Sequence, residues 1–176
     1  MAIDLTLKSG FVTNREAVPA VLNSPGAGAK ARMVQVAGYY ASVPASLSAT
    51  SIIRMVEVPS NAVITSVKVW SGAQTAGKFN VGLYNTNKNG GALVIAASDS
   101  FFTTDLDCSS AVAGTECVFG TGTSGNSRLG MTQPIWQAVA LGADPGGEFD
   151  VSLTVHTTDV TTGTGSVLVV VQYVVG

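Results

Sequence analysis

The fold is decided by residues 51–91, SIIRMVEVPSNAVITSVKVWSGAQTAGKFNVGLYNTNKNGG. The first apolar run in this stretch ends at Pro59-Ser60-Asn61. Proline lacks an amide donor and fixes φ, and asparagine bonds its own backbone, so a turn is expected there. The third run is followed by Asn89-Gly90-Gly91, whose residues tolerate a positive φ. The stretch therefore predicts three antiparallel strands joined by two loops.

The second and third runs alternate in the way that a half-buried strand requires. Successive side chains of a strand point to opposite faces of the sheet. In the second run one face is predicted to carry Val63, Thr65, Val67 and Val69, and the other Ile64, Ser66, Lys68 and Trp70. In the third run Phe79, Val81 and Leu83 stand against Asn80, Gly82 and Tyr84. This pattern predicts a β-sandwich core.

The composition favours a small, weakly charged β domain. The chain has 176 residues, of which 46% are hydrophobic, 7% aromatic and only 11% charged, against about 25% charged in an average protein. A chain of this length buries enough surface for a core without metal or disulfide staples. So neutral a surface is typical of a subunit whose faces are covered by neighbours, and the alternative is a monomer coated with Ser and Thr.

Charge and hydropathy argue against several kinds of partner. The net charge is −2 and no basic block is present, so we expect no nucleic-acid binding. The first ten residues have neither the basic nor the apolar region of a signal peptide. The C-terminal run VLVVVQYVV is too short to span a bilayer, so no membrane association is expected and the run predicts a buried strand.

Residues 1–36 differ from the rest of the chain. Short apolar pieces are separated by Gly and Pro, and the segment SPGAGAKAR at 24–32 has the composition of a flexible linker. We expect an extended N-terminal arm, residues 1–36, followed by a β-sandwich domain, residues 37–176. The arm is predicted to contact a partner or a neighbouring subunit through Leu5, Leu7, Phe11, Val12, Arg15, Val21 and Leu22. The alternative is an N-terminal strand packed on its own sandwich.

The remainder of the chain predicts further strands and one helix. Residues 92–98 are interpreted as a buried strand, and residues 107–130 as the longest irregular region. Thr132 is a candidate cap for a short helix that ends at Gly142 and turns Ile135, Trp136, Val139 and Ala140 inward. Alternation from Phe149 to Val155 and a final strand from 166 to 175 complete the pattern. The fold predicted is an all-β, antiparallel, jelly-roll-like β-sandwich of about eight strands with one short helix.

No constellation of catalytic or metal-ligating residues is visible. The single histidine, His156, lies on the polar side of an alternating strand, and no GxSxG or P-loop motif is present. Asp99, Asp105 and Asp107 lack the spacing of a calcium loop. Cys108 and Cys117 have no ligand partners and are expected to be thiols at synthesis, with a disulfide after release from a cell left open. We expect no enzyme activity, no metal and no cofactor.

Four motifs occur in an order that resembles small virion proteins of tailed bacteriophages. They are VEVPSNA at 56–62, NVGLY at 80–84, GGA at 90–92, and PIWQA at 134–138 leading through DPG at 144–146 to FDV at 149–151. The resemblance covers about residues 52–175, and the 107–130 region departs from it. The family is that of jelly-roll capsid decoration (cement) proteins.

The resemblance implies a structural protein on the exterior of the virion, made in the host cytoplasm. It implies binding to the major capsid protein across subunit junctions, association as a homotrimer, and no catalytic residues. The alternative is a carbohydrate-binding jelly-roll module of a phage tail or fibre. Such a module needs exposed aromatic platforms, and the candidates are Tyr39, Tyr40, Trp70, Tyr84 and Trp136.

Overall fold

The structure, a computed structural model, describes residues 32–43, 47–75, 77–86, 89–96, 98–118, 132–156, 162–163 and 165–175. The predicted arm residues, from Leu5 to Leu22, lie outside the described residues. The first described strand begins at Arg32, so the predicted boundary at residue 36 falls inside a strand of the sandwich.

Strands make up most of the described chain. Their bounds are β1 Arg32–Tyr40, β2 Ile52–Pro59, β3 Val63–Ser71, β4 Gln74–Thr75, β5 Lys78–Asn85, β6 Thr103–Asp107, β7 Val112–Glu116, β8 Glu148–Val155, β9 Thr162–Gly163 and β10 Val167–Val175. A 3-10 turn spans Ser98–Ser100, and a single helical turn, α1, spans Ile135–Ala138.

Two four-stranded antiparallel sheets face each other. The first sheet has the order β1-β10-β3-β7 and the second has the order β2-β8-β5-β6, with a small third ladder between β4 and β9. Numbering the eight long strands in chain order gives 1-8-3-6 and 2-7-4-5, which is the strand order of a jelly roll. The predicted all-β jelly-roll sandwich of about eight strands is therefore confirmed.

The core lies between the two sheets. Each sheet contributes side chains with no exposed surface: Val67, Val69, Val169 and Val171 from the first, and Phe79, Val81, Leu83, Val151 and Leu153 from the second. Burying such a side chain stabilises the fold by roughly 1.5–3 kcal/mol. The buried residues of the second sheet are the positions that the alternation of β5 and β8 predicted.

The predicted faces of β3 are only half right, because the strand contains a bulge. Gln172 pairs with Ser66 and Tyr173 pairs with Ile64, which leaves Thr65 as an extra residue. An extra residue moves the side chains beyond it to the opposite face. Ile64 therefore joins Val67 in the core, and Thr65 is half-buried with its hydroxyl donating to the carbonyl of Gln172 at 3.1 Å.

The predicted buried strand at residues 92–98 is wrong. The described part of this segment makes one isolated bridge, between Leu93 and Tyr84, and ends in the 3-10 turn. The side chain of Ser98 explains the difference. Its hydroxyl accepts a hydrogen bond from the Val94 amide at 3.1 Å and donates one to the Leu83 carbonyl at 2.7 Å. These bonds fold the segment across the sheet and compete with ladder formation.

Two further expectations need correction. The region 107–130 contains a strand, β7, and its residues 119–130 lie outside the described residues. The helix is one turn long, its cap residue is Pro134 and not Thr132, and it ends at Ala138, before Gly142. Ile135 and Val139 are buried as predicted, but Ala140 is exposed with φ 56°.

Candidate interaction surfaces

The outer face of the second sheet is polar and is covered by the chain itself. The β5 and β8 residues that point outward, Asn80, Tyr84, Asp150, Ser152 and Thr154, are at most 6% exposed. The covering segment runs from Asn89 to Phe102 and approaches the sheet at Gly82. A Cβ at Gly82 would lie 2.1 Å from the carbonyl oxygen of Ser98. Only glycine permits the cover to lie this close.

Arg54 links the covering segment to the sheet through hydrogen bonds. Its guanidinium donates to the carbonyl oxygens of Asn85 at 2.8 Å and Gly91 at 2.6 Å, and it pairs with the carboxylate of Asp150. The Cζ atom lies 5.6 Å from the ring centroid of Tyr84. Because its donors are engaged by groups of the same chain, Arg54 has the environment of a structural residue.

The buried tyrosine extends this polar network. The hydroxyl of Tyr84 shares a 2.7 Å hydrogen bond with Thr154 Oγ1. Burial raises the pKa of Tyr84 above its usual value, and the bond from Thr154 opposes that shift. The outer face of the second sheet is therefore an internal, hydrogen-bonded layer and offers little free surface.

A cleft of about 590 Å³ lies between the edge strands β1 and β2. It is lined by Val36, Ala37, Arg54, Met55, Val56, Glu57, Thr86 and Asp150. Two of its three charged groups, Arg54 and Asp150, already pair with each other, and the third is Glu57. The cleft therefore presents few free polar groups to a ligand.

The outer face of the first sheet is largely apolar and partly exposed in the described part of the chain. The strand register arranges the outward residues of this face in four rows. Two rows cross β1, β10 and β3: Met33–Val174–Val63 and Gln35–Gln172–Ser66. The other two rows continue onto β7: Ala37–Val170–Lys68–Glu116 and Tyr39–Leu168–Trp70–Ala113. We call this surface the open face and define it by its apolar members Met33, Ala37, Tyr39, Trp70, Leu168 and Val170. Met33 and Tyr39 are each 67% exposed.

The polar groups of the open face pair with one another. Gln172 Nε2 donates to Gln35 Oε1 at 2.9 Å. Ser66 Oγ donates to Glu116 Oε2 at 2.5 Å, and the Val67 amide donates to Glu116 Oε1 at 2.9 Å. Lys68 lies directly opposite Glu116 in the register. The open face therefore carries no net charge and few unsatisfied polar groups.

The open face ends at an unprotected edge. Strand β1 is nine residues long, and among the described strands it is hydrogen-bonded to β10 alone. It contains no proline, and Arg32 at its start is its one charged residue. Edge strands usually carry charges or proline that discourage pairing with another chain. A long edge without them is suited to contact with a partner.

The aromatic candidates for sugar binding do not form a platform. Tyr84 is buried, Trp136 is half-buried beside α1, and Trp70 packs so closely over Gly114 that a Cβ there would lie 2.9 Å from its ring. Tyr39 and Tyr40 are 67% and 40% exposed, but they are consecutive in β1 and point to opposite faces.

The titratable residues outside these surfaces include a histidine–aspartate pair and two buried thiols. Nδ1 of His156 lies 2.5 Å from Oδ1 of Asp105, and both side chains are partly exposed. Cys108 and Cys117 are free and buried, and burial raises the pKa of Cys108 to about 11 and that of Cys117 to about 12. Within the described ranges, no three His, Cys, Asp or Glu side chains are grouped to hold a metal ion.

The sequence did not identify the residues of the open face as a group. One signal was present, because the final strand is apolar at consecutive positions, which is typical of a central or interface strand. What the sequence did not reveal is which outward residues of β1 and β3 lie beside it.

Among the described helices, none is long and apolar enough to cross a membrane.

No family model and no curated protein sequence matches the chain. Two solved structures, both of phage capsids, are similar to this chain. A chain of the Ralstonia phage GP4 capsid has a TM-score of 0.56 and 15% identity, covering 82% of this chain and 85% of that one. A chain of the cyanophage Pam1 capsid asymmetric unit has a TM-score of 0.46 and 17% identity, covering 91% and 96%.

Proposed function

We propose that this protein is a structural component of a phage virion, a decoration or cement protein that binds the outside of the head and stabilises it. The observation that carries the proposal is the sandwich shared with a chain of the Ralstonia phage GP4 capsid over most of both chains. The motif order at 56–62, 80–84 and 134–151 supports the same assignment independently of the fold. The partners are the major capsid protein and further copies of this chain, which associate as a homotrimer.

The physical task of such a protein is to add contacts at strained junctions. A shell that holds compressed DNA is weakest where its subunits meet. A small sandwich bound across a junction adds buried area there, and symmetry repeats the contact over the whole shell. Modest affinity at each contact then becomes strong attachment through multivalency. The weakly charged body and the open face are suited to contacts of this kind.

The N-terminal arm supplies the capsid contact in this proposal. It carries Leu5, Leu7, Phe11, Val12, Arg15, Val21 and Leu22, which are apolar anchors and one cation spaced along a segment with the composition of a linker. A segment that orders on binding can wrap a large surface with few residues. In the sequence this segment directly precedes the first described strand, which begins at Arg32.

The proposal is tested with heads of the phage that encodes this chain, prepared without it. The full chain is added, and binding is measured by co-sedimentation, its position by electron cryomicroscopy, and head stability by the temperature of DNA release. We expect regular occupancy of the outer surface and a higher release temperature. Absence of binding to the heads would contradict the proposed function.

Variants in the full chain test the arm. Leu5→Ser with Leu7→Ser and Phe11→Ser is expected to abolish head binding while the far-UV circular dichroism of the sandwich stays unchanged. Asn14→Ser, a polar substitution within the same segment, is the matched control and should bind normally. Normal occupancy by the triple variant would remove the arm from the capsid contact.

A further inference from the structure

We propose that Asn89-Gly90 is a site of spontaneous deamidation in the folded protein, and that the product weakens the link between Arg54 and the covering segment. The site lies in the turn Asn89-Gly90-Gly91, which follows β5 and to which the proposed function gives no role. The inference is independent of the proposed function, because it concerns a reaction within the chain and requires no partner.

The reaction needs an asparagine side chain that the next main-chain amide can reach. The amide nitrogen of the following residue attacks the side-chain carbonyl carbon, and a new carbon–nitrogen bond closes a cyclic imide. The side-chain nitrogen leaves as ammonia, with the proton of the attacking amide. Water then opens the imide at either carbonyl, which gives aspartate or isoaspartate, and water is the only co-reactant. Glycine at the attacking position has no Cβ to obstruct the approach.

The turn after β5 meets the steric requirement of this attack. Asn89 and Gly90 are both exposed, so the side-chain amide is accessible to water. Nothing lies within 4 Å of the position that a Cβ of Gly90 would occupy, and Gly90 has φ 86°. Residues with a side chain rarely adopt this φ, so the backbone itself favours glycine here. The fold therefore places an exposed asparagine beside the residue type that hinders the attack least.

The other asparagines of the described ranges lack this combination. Asn80 and Asn85 lie in β5, and each is followed by a β-branched residue, whose stiff side chain obstructs the approach. Asn61 is the matched comparison, because it is exposed in a turn but is followed by Ala62, which is fully buried. We therefore expect conversion to be selective for Asn89.

The converted turn no longer fits its hydrogen bonds. The main-chain amides of Asn89 and Gly91 both donate to the carbonyl oxygen of Thr86, at 2.8 Å and 3.0 Å. Isoaspartate adds one carbon to the main chain between these two amides, so Gly91 must shift. The carbonyl oxygen of Gly91 accepts the 2.6 Å bond from Arg54 Nη2. The shift therefore weakens the bond through which Arg54 holds the start of the covering segment.

The test follows the full chain over several weeks in mildly alkaline buffer. Tandem mass spectrometry locates each deamidated residue, and labelling by an isoaspartyl methyltransferase measures isoaspartate. We expect Asn89 to convert at least about ten-fold faster than Asn61, which corresponds to a barrier lower by about 1.4 kcal/mol. Equal rates at the two asparagines would overturn the inference.

Two glutamine variants are matched to each other. Asn89→Gln keeps the amide but would have to close a larger ring, so we expect it to remove most of the isoaspartate. Asn61→Gln makes the same change in the other exposed turn and should leave the yield unchanged. An undiminished yield in Asn89→Gln would contradict the assignment of the site.

Incubation in urea separates the folded turn from the sequence motif. The unfolded chain offers the same Asn89-Gly90 pair without the turn, and we expect conversion both in urea and in native buffer. Conversion in urea alone would overturn the inference, since the native turn would then protect Asn89.

Urea denaturation of fresh and aged protein measures the effect on the covering segment. We expect a lower midpoint for the converted protein, whereas aged Asn89→Gln should keep its midpoint. Fresh Asn89→Asp adds the carboxylate at this exposed position without the additional main-chain carbon, so its midpoint should stay close to that of the unchanged protein. An unchanged midpoint in fully converted protein would overturn the proposed weakening.

Discussion

The outer faces of the two sheets differ in composition and in exposure. The outer face of β5 and β8 is built from Asn80, Asp150, Ser152 and Thr154, yet none of these is more than 6% exposed. The outer face of β1, β10 and β3 is built from Met33, Ala37, Val170 and similar residues, yet much of it is open. A sheet with one solvated face normally alternates apolar residues inward with polar residues outward. Here the polar face is enclosed, whereas the largely apolar face is only partly covered within the described part of the chain.

The difference shows which face this chain completes with its own residues and which face its described part leaves incomplete. Enclosing a polar face is costly unless most of its groups are bonded, and Arg54, Ser98 and Tyr84 supply many of those bonds from within the chain. An apolar face can be completed by any well-fitting apolar surface, which another molecule can provide. We therefore expect substitutions on the enclosed face to change folding and those on the open face to change association.

The largest effect is expected from the buried ion pair of the enclosed face. Asp150→Ala leaves the guanidinium of Arg54 without its carboxylate, and removal of one partner of a buried pair typically lowers the free energy of unfolding by about 3–5 kcal/mol. Urea denaturation measures the change. Glu57→Ala removes an exposed carboxylate opposite Asp150 in the register and should change stability by less than about 0.5 kcal/mol. A loss below about 1 kcal/mol for Asp150→Ala would contradict the expectation that substitutions on the enclosed face change folding.

The next effect is expected where the cover approaches the sheet. Gly82→Ala places a Cβ 2.1 Å from the Ser98 carbonyl oxygen and 2.2 Å from that of Asp99, so the backbone of the cover must move. We expect a loss of about 2–3 kcal/mol, since overpacking against backbone has little relief. Gly142→Ala is the control, because nothing lies within 4 Å of its Cβ, and it should be neutral or slightly stabilising. Equal effects of the two substitutions would show that the cover is loosely held.

A third effect belongs to the core that both sheets share. Burial raises the pKa of Cys108 to about 11 and of Cys117 to about 12, from 9.0. Unfolding releases these protons above pH 9, so stability that is present below pH 9 is lost as the pH rises toward the folded values. We expect a loss on the order of 1 kcal/mol for each thiol at pH 10.

Replacement of both cysteines by alanine is the control for that pH dependence. The double variant should lose less stability than the unchanged protein between pH 9 and pH 10 in denaturant titrations. Tyr84, whose pKa burial also raises, remains in both proteins and therefore contributes to the pH dependence of both. An unchanged pH dependence in the double variant would mean that ionisation of the thiols does not cause the loss of stability.

The smallest effects compare one serine from each face and should have opposite signs. The hydroxyl of Ser152, on the enclosed face, is fully buried and has no hydrogen-bond partner among the described residues. Ser152→Ala should therefore raise the free energy of unfolding by about 1 kcal/mol. Ser66→Ala, on the open face, removes the 2.5 Å bond to Glu116 and should lower it by about 1 kcal/mol. Thermal melts distinguish the two, and changes of the same sign would contradict the assignment of the two hydroxyls.

Local pattern predicted the strands well because each carries its own signal. Alternation in β5 and β8 identified the inward residues Phe79, Val81 and Leu153, and the turn residues at 59–61 and 89–91 marked where the strands end. Gly90 and Gly91 have positive φ, as the turn required. The segment 92–98 was predicted wrongly because its apolar residues fit a buried strand equally well, and the bond from Ser98 to Leu83 depends on a strand that lies elsewhere.

The candidate surfaces were less predictable for the same reason. The bulge at Thr65, which decides which β3 residues face outward, arises from pairing with β10, more than a hundred positions away. The partnership of Arg54 with Asp150 joins residues 96 positions apart, and nothing near either of them in the chain signals it. The predicted arm contacts from Leu5 to Leu22 lie outside the described residues and stay predictions.

Strand alternation, turn residues and composition are local or additive properties, so the class of fold and the weakly charged character of the surface follow from the amino-acid sequence. Which face of each sheet is enclosed became visible only in the folded chain. That choice depends on cross-strand register and on where the segment from Asn89 to Phe102 crosses the sheet. Both are set by packing between residues distant in the chain, which a local pattern does not encode.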